Sequence, residues 1–207
     1  MRISFLLPQI GQEGGVRVVA TYARLLAERG HAVHAYSLGR ERKIAPRRRM
    51  KDLAKFVARG DWAMARDTIR RPLLVRKTHF DDTPELHTKL PHNGPITDRD
   101  LPDADVVVAS WWETAEWARK LSPSKGRIVH LIQHDERRLA HDPAMARRIG
   151  EVTWNTPGVT RVCVSDWLAG IGKTDFGVAS TVVENAVDHI IFDAPPREKN
   201  KRLTVGL

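Results

Sequence analysis

The chain is poor in cysteine, in tyrosine and in long apolar runs. Its one cysteine, Cys163, rules out an internal disulfide framework and leaves no cysteine pair for a zinc site. Flanked by Val162 and Val164, it reads as a small core residue, and a lone thiol fits a reducing, cytoplasmic compartment. No window holds the roughly 20 apolar residues of a spanning helix. The first residues lack the basic-then-apolar layout of a secretory leader. There is no internal repeat and no low-complexity tract.

Several nucleotide signatures are also incomplete. The glycine turn at Gly11, Gly14 and Gly15 does not spell G-x-G-x-x-G, because Glu13 and Val18 interrupt the spacing. GIGKT at residues 170–174 has Trp167 where a P-loop needs its first glycine, and it stands at the end of an expected helix, not the start. DFG at residues 175–177 has no HRD-type loop or glycine-rich lid to accompany it. DAD at residues 103–105 precedes an expected strand, the wrong end of a sheet for a metal-bound nucleotide sugar.

What is present is an ordinary globular composition, 42% hydrophobic over 207 residues, enough for one well-buried domain. The charge is uneven. Residues 40–77 carry 14 Lys/Arg and 4 acids, while the whole chain has a formal charge of +9, so the remainder is close to neutral. That concentration argues against a generally nucleic-acid-binding surface. Within it, residues 50–57 and 62–69 read as two short amphipathic helices, their arginines interleaved with Met50, Leu53, Phe56, Val57, Trp62 and Ile69. Residues 79–102, rich in Pro, His, Thr and Asp, read as a long loop, functional or mobile.

Elsewhere, apolar strands alternate with helical patterns. Strands are expected at 3–7, 32–37, 105–109, 127–132, 161–164 and 181–183. Helices are expected at 16–29, ended by Gly30, at 113–121, from Asp142-Pro143 onward, and at 166–171 behind a Ser165 cap. Strands that are apolar throughout need cover on both faces, so the class is α/β with a doubly wound, mostly parallel sheet. The expected organisation is a Rossmann-like domain over residues 1–192 and a polar linker at 193–200. A strand at 201–207 would open a further domain, so the chain reads as truncated.

Ligands of such sheets sit beyond the carboxyl ends of the strands. Four stretches fall there: 11–15, 110–113, 133–136 and 165–166. The glycine turn is either a place where a ligand meets bare backbone or a plain tight turn. Gln133-His134-Asp135-Glu136 follows a strand directly, where a histidine can hydrogen-bond a sugar hydroxyl or move a proton. Its bland counterpart is a surface loop whose acids pair with Arg137 and Arg138. Trp111 can stack on a sugar or lipid, whereas Trp112 and Trp117 suit helix packing. His141 and Asp142 match no compact metal spacing.

Taken in order, these motifs resemble the amino-terminal domain of family 4 glycosyltransferases, which have the GT-B fold. The resemblance runs through the GxxGG turn, LLAERGHAVHAYS, DADVVVAS, IVHLIQHDE, VCVSDWL and Asn185-Ala186-Val187-Asp188…Phe192, covering essentially the whole chain. It implies a retaining transferase that moves a sugar from a nucleotide sugar to a glycan or lipid-linked acceptor, with no metal and no other cofactor. Gly14 and Gly15 would approach the acceptor and the donor diphosphate. His134 would be the cleft histidine at the donor sugar, with Trp111, Gln133 and Asp135 binding substrate nearby. Relatives often have Gly where Ala186 stands, and a histidine where this chain has Ser110-Trp111. Donor binding would rest on a carboxy-terminal domain, without which the chain is expected to be inactive. The two amphipathic helices of residues 40–77 make an anionic inner-membrane surface a candidate partner. The alternative is a Rossmann-like binding module that docks nucleic acid or an anionic surface through residues 40–77.

Overall fold

The structure, a computed structural model, describes residues 1–39, 46–70 and 78–186, excepting the side chains of residues 46–49, 51, 52 and 67–70. The expected linker at 193–200, the strand at 201–207 and the Val187–Phe192 part of the signature lie outside the described residues.

Seven parallel strands form one sheet: β1 (Arg2–Leu7), β2 (Ala32–Ser37), β3 (His87–Lys89), β4 (Val106–Ala109), β5 (Arg127–Ile132), β6 (Val159–Cys163) and β7 (Thr181–Val182), in spatial order β3-β2-β1-β4-β5-β6-β7. The chain winds outward from β1 to β3, crosses back, and winds the other way from β4 to β7. The reversal of direction lies between β1 and β4, which pair from Ile3↔Val106 to Leu6↔Ala109.

Both faces of the sheet are covered, which explains the uninterrupted apolar strands. Ile3, Phe5 and Leu7 of β1 pack with Val16, Val19, Ala20 and Ala23 of helix α1 (Gly14–Glu28). The intervening Leu6 faces the opposite side. There it joins Val107 and Ala109 against Ala115, Trp117 and Ala118 of α4 (Trp112–Ala118) and Val152 of α5 (Pro143–Trp154). A third cluster of Ile132, Trp154, Cys163 and Leu168 seats α6 (Asp166–Phe176). Helix ends follow local chemistry. Gly30, at φ 83°, lets its own N–H bond Ala27 O and that of His31 bond Leu26 O, closing α1. Asp142 accepts from Met145 N at 2.8 Å and Ser165 from Leu168 N at 3.3 Å, opening α5 and α6.

Three expectations change. Residues 79–102 do not form a structureless loop: they carry β3 and two 3-10 turns. His87 and Thr88 fix that short strand to β2 through Ser37 Oγ (2.9 Å) and His34 Nε2 (2.8 Å). GIGKT lies inside α6, which runs on to Phe176, and Gly172 has a packing role. A Cβ there would come within 2.7 Å of the Trp154 ring, so only glycine lets the helix lie this close. The helices of the basic segment are α2 (Pro46–Ala58) and α3 (Trp62–Arg70), somewhat longer than their apolar patterns suggest.

Candidate functional site at the carboxyl edge

The winding of the sheet reverses between β1 and β4, and the carboxyl ends of the strands at such a reversal are where doubly wound sheets bind ligands. Three connections border the reversal: residues 8–13 after β1, Ser110 and Trp111 after β4, and residues 133–135 after β5. Ser110 ties the second of these to the end of β1. It is buried, its Oγ donates to Leu6 O at 2.8 Å, and its N–H bonds both Leu6 O (3.3 Å) and Thr114 Oγ1 (3.1 Å). Thr114 Oγ1 also accepts from Trp111 N at 3.0 Å and donates to Trp111 O at 2.7 Å, so the half-buried Trp111 is held by its backbone.

On the β1 side of the reversal, α1 begins at the glycines themselves. Gly11, Gly14 and Gly15 are not among the positive-φ glycines, so no left-handed turn explains them. Gly14 and Gly15 are instead the first residues of the helix. Glu13 precedes them, its backbone oxygen accepting from Val16 N and Arg17 N and its side chain making no cap bond. A side chain added at Gly14 would meet open space. The helix therefore starts with bare backbone facing outward. Gln133 reaches across from β5, its Nε2 donating to Gly15 O at 3.4 Å, and a Cβ on Gly15 would touch that amide. This long bond ties the glycine start of α1 to the residue next to His134, which is exposed.

The remaining members of the four-residue motif divide sharply. Asp135 is buried, and Arg137 grips it with Nε at 2.8 Å and Nη2 at 3.1 Å, holding its carboxyl below the usual range despite the burial. Arg137 also reaches Asp175 at 3.0 Å and lies over the Phe176 ring. Asp135 thus has the ion-pair role of the blander reading: both its oxygens are engaged, and it shapes the loop from within. Glu136 behaves otherwise. It is 5% exposed and makes no ion pair with an arginine among the described residues; its Oε2 accepts from Trp112 N at 2.7 Å. Burial outweighs that hydrogen bond, and with Glu113 and Asp135 nearby it pushes the carboxyl up to about 8. At neutral pH Glu136 is mostly a neutral acid clamping the β5 connection to the start of α4. The sequence marks Glu136 only as part of the four-residue motif, and its burial is not legible there, since an acid beside Asp135 and two arginines reads as surface.

Beneath the edge, His130 is fully buried on β5, and neither ring nitrogen has a partner among the described residues. Burial, with Arg161 beside it, brings its pKa down to about 3. Arg161 spends its guanidinium on Thr153, Val159 and Thr156 carbonyls, closing the end of α5. Among the described residues no cluster of three or more His, Cys, Asp or Glu is placed to hold a metal ion. Comparison of the chain with family models, with curated proteins and with solved structures finds no match.

Proposed function

We propose that this domain is the acceptor-side half of a retaining sugar transferase, which moves a sugar from a nucleotide-sugar donor to a glycan or lipid-linked acceptor. The observation that carries the reading is the Gln133–Gly15 bond at the reversal of the sheet. It brings the histidine-bearing connection beside a helix start stripped of side chains. In this reading the amide groups opening α1 receive phosphate oxygens, since a helix N-terminus presents free N–H groups and the positive end of its dipole. His134 reaches a hydroxyl of the transferred sugar from the solvent side, and Trp111 offers a ring face to a sugar. Asp135 and Glu136 act indirectly, the first through Arg137 and the second through the backbone of Trp112. A second domain opposite this edge would supply the rest of the donor contacts, as the resemblance implies.

The test has two stages. Titrating the labelled chain with UDP, ADP and GDP, followed by NMR, should shift the amides of Gly14, Gly15, Gln133 and His134 together. In a full-length transferase His134→Ala should cut transfer about 100–1,000-fold, the cost of losing one well-placed polar contact to developing charge. Its melting temperature should hardly change, because the ring is exposed. Transfer within about threefold of the parent removes His134 from the site, on the scale such contacts set. Nucleotide shifts confined to other parts of the chain would overturn the reading altogether.

A further inference from the structure

Helices α2 and α3 form a hairpin inserted between β2 and β3, and their main packing partner is each other. Gly60, at φ 70°, closes α2, and Asp61 opens α3 by accepting from Met64 N at 3.1 Å. The hairpin carries four of the eight exposed large apolar side chains among the described residues: Met50 (71% exposed), Val57 (42%), Trp62 (69%) and Met64 (40%). Met50 and Val57 are seven residues apart and so share one side of α2. Lys55, Arg59 and Arg66 are exposed as well, and no ion pair engages these three among the described residues. By sequence, residues 46–70 hold 8 basic and 3 acidic side chains.

We propose that this hairpin docks the protein on an anionic lipid surface, independently of the sugar-transfer reading. Charge selects an acidic occupant, because clustered Lys and Arg are drawn to anionic headgroups. The apolar side chains select lipid among acidic occupants. Methionine and valine gain nothing against a phosphate backbone, whereas they enter the headgroup–acyl boundary readily, and tryptophan favours that interface. A second copy of the same hairpin would bring like charge against like charge. No helix among the described residues is long and apolar enough to cross a membrane, so the hairpin would lie on the surface.

The experiment is co-sedimentation of the full chain with phosphatidylcholine vesicles, with and without phosphatidylglycerol. Binding should need phosphatidylglycerol and weaken as salt rises. Combined Lys55→Glu, Arg59→Glu and Arg66→Glu should lower partitioning roughly a hundredfold or more, at the usual strength of a basic residue near an anionic surface. Met50→Ser with Trp62→Ser should abolish the part of the binding that survives high salt. Both variants should melt with the parent, since every altered side chain is exposed. Equal binding to neutral vesicles, binding indifferent to charge reversal, or no vesicle binding beside tight binding of duplex DNA would each overturn the proposal.

Discussion

The sheet and the α2–α3 hairpin use the same residue types to opposite ends. In the sheet domain three of five tryptophans are interior, Trp112, Trp117 and Trp154 being 7%, 6% and 3% exposed, while Trp111 is half-buried and Trp167 lies on the surface under Arg138. In the hairpin Trp62 is 69% exposed. Two arginines of the sheet domain differ in the same way from two of the hairpin, although others, such as Arg17 and Arg119, are exposed. Arg137 and Arg161 are bound into the domain by carboxylates and helix-end carbonyls, while Arg59 and Arg66 stand in solvent. A burial-driven domain can therefore carry an appendage several of whose large apolar side chains stay in solvent, and exposure, not composition, picks them out.

The largest effect that sharpens this contrast is a tryptophan deletion in each region. Trp154→Ala removes a ring stacked on Phe176 at 6.0 Å and seated over Gly172. It should lower unfolding free energy by about 3–5 kcal/mol. Denaturant titration measures this, and a loss below about 1 kcal/mol would show that the α5–α6 contact does not hold the domain together.

An intermediate effect lies in two buried groups of the sheet domain that oppose each other in pH. His130 keeps a pKa near 3 when folded, against an ordinary 6.5, so the unfolded chain binds its proton first and stability falls as pH drops from about 6.5. Glu136 keeps its proton to about 8 when folded, against an ordinary 4.5, so stability falls as pH rises between those values. Each slope approaches about 1.4 kcal/mol per pH unit, and between pH 4.5 and 6.5 they largely cancel. Glu136→Gln should expose stability that climbs with pH up to about 6.5, and His130→Leu stability that declines up to about 8. Denaturant midpoints across pH check both. Identical profiles for the two variants would mean that neither group titrates as its burial dictates.

The smallest effect belongs to the hairpin. Trp62→Ala should change stability by no more than about 0.5 kcal/mol, the ordinary range for an exposed site. A loss comparable to that of Trp154→Ala would place Trp62 inside the folded domain and erase the contrast.

How far these regions could be read from the sequence follows the range of the forces involved. The bounds of β2 and β5 coincide with the expected strands, because strands covered on both faces are mostly apolar and stand out even where His34, Ser37 or His130 interrupts them. β3 left no such trace: His87, Thr88 and Lys89 are held by hydrogen bonds to β2 and sit at the sheet's margin. The glycine turn was visible, but its conformation was not, since Gly14 and Gly15 belong to the helix and take no positive φ. At the edge, the placement of His134 and Gln133 after β5 followed from strand order alone. The fates of Asp135 and Glu136 did not. One is decided by Arg137, two residues on, and the other by Trp112, 24 residues back, a pairing only the assembled sheet creates.

The brevity of β3 has a consequence for the protein in crowded solution. A bordering strand offers a row of unspent backbone donors and acceptors on which another molecule can grow a strand of its own. Here that border is three residues long, with Thr88 and Lys89 exposed. An incoming chain would find few rungs to climb and a lysine beside them, so ordered polymerisation has no template on this flank. Lengthening β3 with β-branched residues, and replacing Lys89, would supply one.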